Sequence, residues 1–146
     1  MYSSASRQTT STHTTGLIQM SRDRILRTAL WCTVALNAIG VAAFAPLVFG
    51  RSSVFVPIAA PPFFAAQVAW VIALFCGVYA WLATQREIYR PLVVVGGLGK
   101  LGFFGLTLAF ALAGEIPMRM AINATPDLVC AAIFFWWASG PAAYPA

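Results

Sequence analysis

Apolar residues in this chain come in long runs, with polar residues clustered between them. The runs extend from about Thr28 to Phe49, Phe63 to Thr84, Pro91 to Ala113 and Met118 to Ser139. A helix rises about 1.5 Å per residue, so about 20 apolar residues cross the roughly 30 Å hydrocarbon layer of a bilayer. Each run reaches that length, and the pattern predicts four membrane-spanning helices. The connections are short: GRSSVFVPIAAPP carries three prolines, QREIYR three charges, and GEIP a glycine and a proline. Such turns join neighbours that run in opposite directions. The expected architecture is an all-α membrane protein, an antiparallel four-transmembrane-helix bundle in one domain over residues 21–139.

Residues 1–20, rich in Ser and Thr, bury too little apolar surface to fold alone and are expected to form a mobile tail. Residues 140–146 form a short tail at the other end. No short apolar region with a small-residue cleavage site precedes the first run, so a cleavable signal peptide is not expected. Ser21 offers an N-cap and Asp23 a first-turn acid for a helix leading into the bilayer. Arg22, Arg24 and Arg27 are expected among lipid headgroups at its start.

Polar residues inside the runs carry the candidate chemistry. Counted from the Arg-rich end at about 1.5 Å per residue, Lys100 lies roughly 13 Å deep, Asp127 roughly 17 Å and Asn37 roughly 13 Å. A charge at mid-membrane costs around 2.5 to 3.5 kcal/mol on insertion scales, so these side chains must face inward and find partners. The spacing predicts a Lys100–Asp127 ion pair with Asn37 as third member. Helical phase places Gly96, Lys100, Phe103 and Thr107 on one face of the third run, and Asn123 four residues before Asp127 on the fourth. The candidate ligand-binding set is Lys100, Asp127, Asn37 and Asn123. Pro126 removes a backbone hydrogen bond and frees the Ile122 carbonyl one turn earlier, kinking the helix beside Asp127.

Composition agrees with a membrane protein: 60% of residues are hydrophobic, 9% are charged, and mean hydropathy is +0.80. Soluble domains carry about a quarter charged residues. The net charge of +5 is a topology signal rather than a sign of nucleic-acid binding. Arg7, Arg22, Arg24, Arg27, Arg86 and Arg90 fall on one side of the expected bundle, with Arg51 and Arg119 on the other. The positive-inside bias then makes both termini cytoplasmic. Trp31, Trp81, Tyr89, Trp136 and Trp137 gather at the same boundary, where amphipathic rings are favoured.

Several patterns lead nowhere chemically. Gly97, Gly99 and Gly102 spell G-x-G-x-x-G, but a dinucleotide site needs a soluble βαβ unit and a downstream acid. Close helix approach explains those glycines better. The sequon at Asn123 is expected inside the bilayer and to be silent. His13 is a lone imidazole in the tail, so no metal site is expected. Cys32, Cys76 and Cys130 lie in separate runs without a C-x-x-C pair, which disfavours disulfide chemistry and a catalytic thiol. Glu115 and Arg119, four apart, are candidates for an exposed ion pair worth under about 1 kcal/mol.

The four spans, the glycine-rich third helix carrying Lys100 and the ending DLVCAAIFFWW resemble uncharacterised bacterial membrane proteins of the DoxX-like kind, over about residues 28–138. That resemblance implies a bacterial inner-membrane location and carries over no catalytic residue. Small multidrug transporters are less similar, because Asn37 stands where their first-helix carboxylate is needed. Three function classes remain. The first is non-enzymatic binding of a lipophilic molecule, or support of transport, at the polar layer. The second is an accessory subunit of a larger membrane complex, or a homo-oligomer, in which the polar pair is structural. The third is an enzyme using Asp127 as acid or base, with no nucleophile or second carboxylate at that depth to help it. No cofactor is expected, and the expected partners are the lipid bilayer and a lipophilic small molecule.

Overall fold

The computed structural model describes the backbone of residues 5–140 and the side chains from Met20 onward. It is helical throughout its regular structure: α1 (Ala5–Val48), α2 (Pro62–Thr84), α3 (Arg90–Leu112), α4 (Met118–Asn123) and α5 (Thr125–Ala138). Among the described residues four segments are long and apolar enough to cross a membrane, namely Met20–Val48, Pro62–Thr84, Arg90–Leu112 and the α4–α5 unit Met118–Ala138. The chain is a four-helix bundle of multi-pass membrane character.

Local chemistry sets the helix ends. Proline stands at the first positions of α2, α3 and α5, where a missing N–H costs nothing. Gly50 and Gly114, with φ of 69° and 78°, stop α1 and α3. At the first, Gly50 N–H donates to the Leu47 carbonyl (3.0 Å) and Arg51 N–H to that of Pro46 (2.9 Å). At the second, Gly114 N–H donates to Ala111 (3.1 Å) and Glu115 N–H to Phe110 (3.0 Å). These are paired Schellman bonds, and the left-handed residue they require is cheap only for glycine.

The start of the helix differs from expectation. Ser21 does not cap it, because α1 already begins at Ala5, inside the segment assigned to a tail. Extending an existing helix adds a hydrogen bond per residue without a new nucleus. Residues 1–4 and 141–146, and the side chain of His13, lie outside what the structure describes.

Helix α1 packs against α2 and α5, while α3 packs against α4 and α5. Leu26, Leu30, Tyr79, Leu82, Val93 and Phe134 form the main core at the Arg-rich end, and Ala43, Leu47, Val56 and Ala65 a smaller one at the far end. Outside them Trp70, Leu106, Leu112 and Ile122 are exposed, as suits a lipid solvent.

The arginines tie helix ends together. Arg22 donates to the carbonyls of Trp136 and Trp137 and lies 4.5 Å from the Trp136 ring centre. Arg27 donates to Ala83 (2.7 Å) and Arg86 (3.1 Å), and Arg90 to Ala138 and Gly140. The last carbonyls of a helix have no partner within it, and the dipole there favours a cation. Arg22 and Arg27, expected among headgroups, therefore serve the ends of α5 and α2. Asp23 accepts from Trp137 Nε1 at 2.7 Å.

Candidate functional site

Lys100 sits on the face of α3 that also buries Val93, Gly96 and Gly97. Its side chain is 7% exposed. The ammonium forms an ion pair with Asp127 Oδ1, donates to Asn37 Oδ1 at 2.8 Å, and lies 5.7 Å from the centre of the Tyr79 ring. Two acceptors and an aromatic face surround the cation, which is what a desolvated ammonium requires. Asn37 is 9% exposed and turns its amide nitrogen toward the Ile72 carbonyl at 3.4 Å. All four spans thus contribute: α1 through Asn37, α2 through Tyr79 and Ile72, α3 through Lys100, and α5 through Asp127.

The break in the fourth span positions the carboxylate. Ala124, with φ −83° and ψ −8°, separates α4 from α5, and Pro126 opens the second piece. Asp127 consequently stands in the first turn of α5. The positive end of that helix dipole favours an anion there. Its Oδ1 serves Lys100, whereas Oδ2 has no partner among the described residues, and the side chain keeps 14% exposure.

Of the sequence candidates, Lys100, Asp127 and Asn37 are brought together and Asn123 is not. Asn123 is exposed at the last position of α4, because the phase relation to Asp127 holds only along an unbroken helix. Phe103 is half exposed, and Thr107 satisfies its hydroxyl on the Phe103 carbonyl at 2.8 Å, so neither joins Lys100 in the polar layer. Glu115 and Arg119 are both exposed and form no ion pair with each other. Their i, i+4 spacing presumes one helix, but Glu115 precedes the start of α4 at Met118.

Two further residues stand beside this layer, Tyr79 against Lys100 and Thr33 one turn from Asn37 along α1. Tyr79 donates its hydroxyl to the Gly96 carbonyl at 3.2 Å and stacks at an angle on Phe75 and Phe134, 5.9 Å from each. Its signal was a tyrosine inside an apolar run, since a buried phenol needs a partner. Thr33, one helical turn before Asn37, is fully buried with its hydroxyl oxygen unpartnered. A threonine inside a helix gives no such signal, because its hydroxyl often bonds back to its own helix.

Gly96 is the glycine this site requires. A Cβ there would fall 2.7 Å from Tyr79 Cε1, and one on Gly97 3.1 Å from Phe135. Gly99, Gly102 and Gly105 have nothing within 4 Å, so helix contact accounts for Gly97 of the G-x-G-x-x-G set but not for Gly99 and Gly102.

Among the described residues no cluster of three His, Cys, Asp or Glu side chains can hold a metal, and Cys32, Cys76 and Cys130 are free thiols. Two surface grooves, one between α1 and the fourth span and one at the loop after α1, are not lined by Lys100 or Asp127. No family model matches the chain, and comparison with curated proteins and with solved structures found no match.

Proposed function

We propose that this protein works without catalysis in a bacterial inner membrane, both termini cytoplasmic, binding the polar head of a lipophilic molecule at the Asn37–Lys100–Asp127 layer. The carrying observation is the incomplete satisfaction of that layer. Lys100 has its partners, but Asp127 keeps one carboxylate oxygen and some surface unengaged, and the Thr33 hydroxyl nearby in sequence to Asn37 is buried without a bond. Ionisable groups inside a bilayer commonly mark ligand and ion paths. A donor on an incoming molecule completes the carboxylate at little cost.

The distribution of arginine supports the orientation, with Arg51 and Arg119 opposed by the larger set before α1 and between α2 and α3. A second reading has one observation in its favour. Lys100 is enclosed by groups from the other three spans, as a structural clasp in an accessory subunit would be.

The test is native mass spectrometry of the full chain taken from its own membrane in lipid nanodiscs, beside Asp127→Asn. The expected result is a small molecule retained by the wild type and lost from the variant. A co-released polypeptide without a small molecule would replace this reading with the accessory-subunit one.

A further inference from the structure

The groove between α1 and the fourth span has a cavity volume of about 1010 Å³. Arg24 and Thr28 stand at one end, and Ile25, Ile39, Val129 and Ile133 line its length. Small residues make its floor: Ala29 and Cys130 are buried where larger side chains would close the gap. At about 1.5 Å per residue, the α1 lining from Arg24 to Ile39 covers about 22 Å, more than half of a roughly 30 Å hydrocarbon core. Its two threonines turn their hydroxyls onto their own helices, Thr28 to the Arg24 carbonyl at 3.1 Å and Thr125 to that of Ala121 at 3.5 Å. The walls thus suit hydrocarbon rather than a polar ligand.

Charge marks one end only. Among the described residues, Arg24 is the one charged residue lining the groove. Arg22, Arg27 and Arg90 each hold carbonyls at helix ends, whereas the Arg24 guanidinium is exposed and has no partner among the described residues. An exposed guanidinium above a long apolar channel is complementary to an anionic head on an acyl chain.

We infer that this groove is a binding site for one anionic phospholipid, its phosphate on Arg24 and an acyl chain along Ile25, Ile39, Val129 and Ile133. The site goes beyond the Lys100–Asp127 layer and does not depend on it.

The test uses the full chain, delipidated in mild detergent and returned to nanodiscs of phosphatidylglycerol or phosphatidylcholine with identical chains, then released for native mass spectrometry. Wild type is expected to retain one phosphatidylglycerol in preference to phosphatidylcholine. Arg24→Gln should reduce that preference about fivefold, the worth of one arginine near an anionic lipid. Arg86→Gln, an exposed arginine away from the groove, should leave it unchanged. Val129→Trp, at a half-exposed position, should lower retention of both lipids by filling the channel. An unchanged lipid preference in Arg24→Gln would overturn the site even if Val129→Trp failed to fold. Asp127→Asn should retain the lipid as wild type does, so failure of the polar-layer reading and failure of this one are separately visible.

Discussion

At the residue scale, Gly96 and Lys100 show how closely this bundle is matched around one layer. Gly96→Ala places a methyl 2.7 Å from the Tyr79 ring, and the ring is held by Phe75 and Phe134. Overpacking of that kind costs about 1 to 3 kcal/mol. Thermal unfolding in detergent should show this loss, with Gly102→Ala as the contrast. Gly102 faces open space, so the same change there is expected to be neutral or to stabilise by up to about 1 kcal/mol. Removing either partner of the ion pair leaves a buried charge unmatched. Lys100→Ala and Asp127→Ala should each destabilise by about 3 kcal/mol, and the double variant by less than their sum. Additive losses would mean that the pair contributes no coupling.

At the element scale, the helix ends are joined by side chains rather than by loops alone. Arg27 reaches from α1 to two carbonyls at the end of α2. Arg27→Gln should therefore leave the span intact while raising amide hydrogen exchange in the connection after Thr84, where the last turn loses its cation. Protection unchanged there would show that water serves those carbonyls equally well. The broken fourth span is the other element-level device. A continuous helix would carry Asn123 on the Asp127 face, whereas the break at Ala124 leaves Asn123 outward and gives the carboxylate a helix start. Pro126 signals that break in the sequence, but not how far it turns the preceding segment, which neighbouring helices decide.

At the scale of the whole molecule, four apolar helices with exposed Trp, Leu and Ile over their outer surface make lipid the solvent. Orientation is tested by labelling from either side of the membrane with a charged maleimide, in a background where Cys32, Cys76 and Cys130 are replaced by Ala. Ser52 and Glu87, the sites for single cysteines, lie in the connections before and after α2 and are both exposed. Glu87→Cys is expected to react only from the cytoplasmic side and Ser52→Cys only from the outer side. The reverse pattern would overturn the positive-inside assignment.

Hydropathy and run length by themselves determined that this is a four-span helical membrane protein, because no other unclosed backbone satisfies its hydrogen bonds in hydrocarbon. Equal depth also made the Asn37–Lys100–Asp127 meeting legible, since a charge that expensive has few places to go. Tertiary structure alone decided the rest of the site. Whether Tyr79 closes on Gly96, whether Thr33 finds a bond, and which arginines cap carbonyls depend on the rotation and separation of helices. Apolar patterning sets which segments enter the bilayer. It leaves rotation to packing, because lipid and a neighbouring helix offer an apolar side chain nearly the same environment.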